Sequence, residues 1–266
     1  MAQSTQSGSV LERILEARRA AVAHRKKVVP EAVLRMAARS ASPVRDFGAA
    51  LSEPGVRIIA ELKKASPSRG VLRESFAAGA LAESLHRAGA AALSVLTEEE
   101  FFQGSLKNMK EARKAAAIPV LRKDFILDPW QVWETRANDA DTFLLIVAAL
   151  GDEALSGLLA LGRELGMEPL VEVHTREELD RALAAGAHII GVNNRDLRSL
   201  ETCVETSFDL ITPIPDDCVA VSESGIRSAA QIAALRDAGF DAFLVGEHLM
   251  TEPNPAAALS ALLAAP

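Results

Sequence analysis

The stretch IPVLRKDFILDPWQVWETRANDADTFLLIV, residues 118–147, contains one complete structural unit. IPVLRK (118–123) and DTFLLIV (141–147) are short apolar runs rich in β-branched residues, which reads as two strands. Between them Trp130–Arg136 reads as a helix, and a strand pair joined through a helix is parallel, since an antiparallel pair needs only a hairpin. The same unit recurs in both directions. RIIAEL (57–62) and AALSVL (91–96) precede it, and EPLVEV (168–173), HIIGVN (188–193), CVAVS (218–222) and DAFLVG (241–246) follow it. Helix-like segments fall between them at Ala77–Arg87, Leu106–Ala116, Glu153–Leu165, Arg176–Ala184 and Ala229–Ala238, several closing on Ala-Gly as a helix C-cap does. Strand starts advance from 57 to 241, about 26 residues per repeat, and eight such units close a TIM barrel. An open doubly wound sheet is the competing architecture, but it usually has fewer strands and a Gly-rich loop after the first. Neither GxGxxG nor GxxxxGK[ST] occurs in the chain.

Residues 1–56 break the pattern. Val10–Lys27 has apolar residues at 10, 11, 14, 15, 17, 21 and 22, which predicts an amphipathic helix, and a second helix is expected after Pro30. The fold class is therefore α/β, a (βα)8 barrel of residues 57–266 preceded by a helical extension, 1–56, that caps one barrel end and borders its site. Met1–Ser9 is polar and lacks the apolar core of a secretory signal, so a cytoplasmic protein is expected. Cys203 and Cys218 have no metal-ligand spacing and suit a reducing compartment. The longest apolar run, Phe143–Leu150, is far too short for a membrane span. A net charge of −7 and a pI near 5.4 argue against a nucleic-acid surface, though a small anion needs only a local pocket of cations and N–H groups.

In a barrel of this kind chemistry is expected at the C-terminal ends of the strands. The ionisable residues fall there: Glu61 and Lys63 on the first strand, Lys123 on the third, Glu172 on the fifth, Asn193 and Arg195 at the sixth, Glu223 at the seventh. Alternation along a strand puts Glu61 with Lys63, and Asn193 with Arg195, on one face. A carboxylate beside an ammonium in a partly dry cleft tunes the proton affinity of both, as acid–base chemistry requires. Arg122 is expected to add positive charge beside Lys123 while Glu61 and Glu172 oppose it, which leaves the sign of the lysine's shift open. Ser224-Gly225-Ile226 and Gly246-Glu247 occupy the turns where barrels place a phosphate, and Ser66-Pro67-Ser68-Arg69-Gly70 adds hydroxyls and a cation. The five histidines form no zinc motif, and His174 reads as a hydrogen-bonded structural imidazole. Phe102 and Phe125 lie just past strands and suit an apolar wall for an aromatic ring.

These motifs resemble those of the indole-3-glycerol phosphate synthase family, a lyase of the tryptophan pathway. IIAELKKASPSRG (58–70), LSVLTEEEFFQGS (93–105), PVLRKDFILDPWQ (119–131), LLIVAAL (144–150), LVEVHT (170–175), IIGVNNRDL (189–197), VSESGI (221–226) and FLVGEHLM (243–250) carry the resemblance through the whole barrel in order. The resemblance implies that Lys123 is a general acid and Glu172 a general base, with Glu61, Lys63 and Asn193 completing the catalytic set. It implies that Arg195 holds a carboxylate, that Phe102 and Phe125 wall the anthranilate ring, and that Ser66, Glu223, Ser224, Gly225, Gly246 and Glu247 surround the rest of the substrate, its phosphate included. The implied substrate is a phosphorylated arylamino-deoxyribulose, and neither metal nor organic cofactor is needed. A monomer is expected, with room for association with other tryptophan-pathway enzymes.

Two departures from the family pattern stand out. Leu72–Ala77 lacks an acidic N-cap for the following helix, and Asn138-Asp139 stands where a Gly is common. Three other readings compete. A phosphosugar isomerase related to phosphoribosylanthranilate isomerase would place a cysteine base on strand 1, where this chain has Glu61 and Lys63. A non-catalytic phosphoester-binding barrel has no use for Lys123 and Glu172. A Schiff-base aldolase would use Lys123 as a nucleophile.

Overall fold

The structure is a computed structural model that describes residues 9–265; of the polar N-terminal stretch, Met1–Gly8 lie outside it. Eight parallel strands close on themselves. They are β1 (Arg57–Leu62), β2 (Ala92–Leu96), β3 (Val120–Lys123), β4 (Thr142–Ile146), β5 (Leu170–Val173), β6 (Ile189–Asn193), β7 (Val219–Glu223) and β8 (Ala242–Val245). Each pairs with its sequence neighbours, and β8 closes on β1 with Arg57 opposite Ala242 and Ala60 opposite Val245. The fold class expected from the repeats is the one observed.

The alternation of each strand sorts its residues into two cores. Ile58, Ala60 and Leu62 of β1, Phe143 and Leu145 of β4, and Ile190 and Val192 of β6 face outward and pack beneath the helices. Ile59, Leu121, Leu144, Leu170, Ile189, Val221 and Leu244 face inward and fill the barrel lumen. Both faces are apolar, which is why the strands read as continuous hydrophobic runs. Because the lumen is plugged by these layers, the ionisable side chains that reach the mouth from the inward set come from the last positions of their strands.

The helices are α1 (Val10–Val28), α2 (Glu31–Arg39), α3 (Phe47–Ser52), α4 (Ala78–Arg87), α5 (Leu106–Ala115), α6 (Pro129–Ala137), α7 (Asp152–Glu164), α8 (Arg176–Ala184), α9 (Glu205–Ile211), α10 (Ala229–Ala238), α11 (Glu247–Thr251) and α12 (Pro255–Leu263). Ser9 and Glu12 form a capping box at the start of α1. The three helices before β1 do not share one end of the barrel. Leu11, Ile14 and Leu15 of α1 join the lumen core from the mouth, whereas Phe47 and Leu51 of α3 join it from the floor, beside Ala91 and Ile189. In between, Leu34 and Ala38 of α2 pack on Trp130 and Trp133 of α6.

Several expectations needed adjustment. The third strand starts at Val120 rather than Ile118, and Val147 begins a short 3-10 turn, Val147–Ala149, instead of ending a strand. A hairpin of Ala65–Ser66 with Gly70–Val71 follows β1 where a loop was read, with Gly70 left-handed at φ 65°. Ala77 caps α4 without a side-chain hydrogen bond, as its sequence implies, and Asp139 takes φ 63° where a glycine would be unstrained.

Candidate active site

In five of the eight strands the inward set ends at the mouth on an ionisable or amide side chain. Glu61 follows Ile59, Lys123 follows Leu121, Glu172 follows Leu170, Asn193 follows Gly191, and Glu223 follows Val221. They line a single cleft together with Lys63, which leaves β1 on the same side. At its centre Lys123 Nζ donates to Glu172 Oε2 at 2.9 Å and to Glu223 Oε2 at 2.7 Å. Beside this trio Lys63 Nζ lies 2.6 Å from Glu61 Oε2. Glu61, Glu172 and Glu223 are all buried.

The electrostatics separate the two partners of Lys123. Burial pulls the ammonium's pKa down, but Glu172, Glu223 and Glu61 outweigh it and hold Lys123 above its ordinary value. Burial raises Glu172, yet Lys123 and His174 more than offset this and keep it below the usual carboxylate range. Burial pushes Glu223 up to about 7 against the pull of Lys123, with Glu172 adding to the rise. Two carboxylates whose proton affinities are driven apart mark a site built to exchange protons. Glu172 is the ionised member, and Glu223 takes or gives a proton near neutrality.

The expected influence of Arg122 on Lys123 is corrected by the same alternation. Arg122 faces outward, fully buried between barrel and α6, with Nη2 3.0 Å from Asp124 Oδ2 and 2.8 Å from Glu134 Oε2. Its charge is neutralised there and does not enter the mouth.

The remaining residues divide between two ends of the cleft. At the apolar end Phe102 and Phe125 lie with ring centroids 6.3 Å apart, close to Val10, Leu11 and Ile14 of α1. Glu98 fixes the Phe102 loop by accepting N–H groups from Glu100, Phe101 and Phe102. At the polar end Ser66 and Ser68 face the turns at Gly225 and Gly246. Ser224 and Gly225 are both left-handed, at φ 68° and 80°, so the chain turns sharply as it leaves β7.

Glu247 is less simply placed than its neighbours. Its carboxylate pairs with Arg195 at 3.1 Å, Arg227 at 3.4 Å and Arg69 at 3.6 Å, so it gathers cations around the polar end. Arg195 also donates to Leu200 O at 2.9 Å, which directs its guanidinium to this end and not to the phenylalanine wall. Asn193 Oδ1 accepts the Arg195 N–H at 3.0 Å. Neither Arg227 nor the pairing of Glu223 with Lys123 is legible in the sequence. Among the described residues no cluster of His, Cys, Asp and Glu is arranged to hold a metal, and no helix is long and apolar enough to cross a membrane.

A family model for indole-3-glycerol phosphate synthase matches residues 11–262. This chain belongs to the indole-3-glycerol phosphate synthase family. A family member from Rhodococcus jostii (strain RHA1) is 47% identical over 255 residues, spanning 96% of this chain and 95% of that protein. One from Roseiflexus sp. (strain RS-1) is 51% identical, spanning 92% and 95%. More distant likenesses show the barrel alone. A 3-hexulose-6-phosphate synthase structure superposes with a TM-score of 0.59 at 16% identity, covering 79% of this chain and 99% of that one. The thiamine phosphate pyrophosphorylase of Pyrococcus furiosus gives 0.59 at 15%, covering 78% and 93%.

Proposed function

We propose that this chain is a carbon–carbon lyase that makes indole-3-glycerol phosphate, and that Lys123, gripped between Glu172 and Glu223, is the acid of its first step. The substrate is 1-(2-carboxyphenylamino)-1-deoxyribulose 5-phosphate. The ring carbon bearing the carboxylate attacks the ketone carbon, and Lys123 protonates the ketone oxygen as charge develops on it. Carbon dioxide then leaves and its bonding pair restores the aromatic ring. A second proton turns the new hydroxyl into departing water, and Glu172 collects one proton from the new ring. Two protons enter and one is recovered, so each turnover takes up one proton from solvent. Glu223, poised near neutrality beside Lys123, is placed to return that proton to the lysine.

The apolar end of the cleft suits the aryl ring, and the polar end, with Ser66, Ser224, Gly225, Gly246 and the arginines gathered on Glu247, suits the phosphate. Arg195, tied to Glu247, reaches the substrate carboxylate only by sharing its donors. Lys63 and Glu61 serve the later loss of water, and Asn193 orients the substrate's hydroxyls. The reading includes the helices before β1 as an extension of the barrel of residues 57–266, with α1 over its mouth and α3 under its floor, a monomeric state, and a cytoplasmic setting in which other tryptophan-pathway enzymes are candidate partners. It requires no cofactor.

Single-turnover kinetics with the carboxylate carbon labelled separate the two lysines, because decarboxylation reports the early steps and indole absorbance the last. Lys123→Ala is expected to release no labelled carbon dioxide, and Lys63→Ala to release it while delaying the indole signal. Normal release from Lys123→Ala would transfer the first-step role to Lys63.

A further inference from the structure

Behind Glu172, outside the cleft lining, lies a side chain that the reaction scheme above does not use. His174 follows β5 by one residue, and its ring is held by Glu178 of α8. Glu178 Oε2 accepts the His174 backbone N–H at 2.7 Å and lies 3.1 Å from Nδ1. A carboxylate only accepts, so Nδ1 carries a hydrogen. That turns Nε2 toward Glu172, 3.4 Å from Oε1. Glu172 Oε1 and His174 Nε2 are both buried atoms with no hydrogen-bond partner, and each is the other's polar neighbour. A hydrogen on Nε2, with a small rotation of either side chain, satisfies both at once.

We propose that His174 is the positioning residue of the catalytic base: held as a cation by Glu178, it fixes Glu172 through Oε1 so that Oε2 stays on Lys123. The strongest charges on the imidazole are Glu178 from α8, Glu172 from β5 and Glu223 from β7, with Asp196 from the loop after β6 also acidic; the cation of the group, Lys123 from β3, stands on the far oxygen of Glu172. Burial alone favours the neutral ring, but Glu178, Glu172 and Glu223 outweigh it and raise its proton affinity. Two consequences follow for Glu172. Its carboxylate is confined to one rotamer, and a neighbouring positive charge keeps it ionised.

The inference rests on the proposed lyase reaction, so the wild-type enzyme is the internal control. Steady-state kinetics with the arylamino-deoxyribulose phosphate are measured across pH for wild type, His174→Asn, His174→Gln and Glu178→Gln. Asparagine keeps a donor toward Glu178 but loses the arm that reaches Glu172, whereas glutamine restores a donor near the Nε2 position. His174→Asn is expected to lower kcat on the order of 10- to 100-fold, the scale of a misplaced catalytic group, with KM changed by no more than about threefold. The acid limb of kcat should move to higher pH, because Glu172 loses the charge that held its pKa down. His174→Gln should recover most of kcat, and Glu178→Gln should shift the limb in the same direction by less. A kcat for His174→Asn within about twofold of wild type overturns the proposal. So does an equal loss in the Asn and Gln variants with an unmoved acid limb, which would make the ring a packing element. If His174→Asn does not fold, Glu178→Gln decides alone, an unchanged profile counting against the proposal. Failure of the lyase reading shows differently, as a wild type that forms no indole product.

Discussion

Gly246 and Gly191 are glycines because carboxylates occupy the space a Cβ would need. An ideal Cβ on Gly246 falls 2.1 Å from Glu61 Oε2, and one on Gly191 falls 2.1 Å from Glu223 Oε1. Neither has a left-handed backbone, so the requirement is room rather than conformation. Only the Glu61 side chain stands in the way, so Gly246→Ala is accommodated by moving it, at the cost of its buried pairing with Lys63 and of some stability. The substitution should lower kcat about 100-fold, since Glu61 is pushed from its place beside Lys63; a normal kcat, whatever the melting temperature, would contradict this. Glu223 supports a second prediction. Its pKa is raised from 4.5 to about 7, so the stability linked to its proton is present below about pH 4.5 and lost as pH rises through about 7. Glu223→Gln should melt higher than wild type at pH 8, with a smaller difference at pH 5. A gap that does not widen with pH would count against it. At this scale the sequence shows which face each residue takes, because period-two alternation places Glu61, Lys63, Glu172 and Asn193 without a structure. It does not show partners. Glu223 reads naturally with the Ser224-Gly225 turn, and only the closed barrel brings it within reach of Lys123, 100 positions earlier.

Helix α1 shows how an element outside the barrel takes part in the site. Its Arg18 is buried and lies 2.6 Å from Asp124 Oδ2, one residue past Lys123. The same oxygen accepts the Thr97 hydroxyl at 2.6 Å and lies 3.0 Å from Arg122 Nη2. Lys26 adds a more exposed pair with Asp128, 2.8 Å away. The loop that follows Lys123 is thereby pinned to α1, and the helix that brings Leu11 and Ile14 to the cleft cannot move without it. Arg18→Met should destabilise the fold by about 3 kcal/mol, the low end for a broken buried pair because Asp124 keeps Arg122. It should also raise KM, as the apolar wall loosens. Equilibrium unfolding and steady-state kinetics check both, and an unchanged KM would show α1 to be a structural cap only. The amphipathic period of α1 is legible in the sequence, as are the eight strands and most barrel helices. The six-residue α3 is not, since so short a segment shows no period. The hairpin at Ala65–Val71 hides because SPSRG reads as any loop does.

For the molecule as a whole, the barrel's two cores explain why chemistry and stability are separated in the chain. The outward set packs under helices and tolerates no charge except neutralised ones such as Arg122, while the inward set is plugged by Ile59, Leu121, Leu170 and Val221 and opens only at the top. The repeat that reveals the fold thus also announces where the site lies, but the roles within it depend on convergence across strands that no single repeat contains. Where the chain departs from the common pattern, at Ala77 and Asp139, it does so away from this convergence. Closure of an indole ring at the Lys123 cluster is tested most directly by following both products of turnover. Purified protein is incubated with the arylamino-deoxyribulose phosphate, without added metal or cofactor, while indole fluorescence and carbon dioxide are followed together. The wild type should release one carbon dioxide per indole product and Lys123→Ala neither; substrate consumed without carbon dioxide, or bound without turnover, would contradict the lyase assignment.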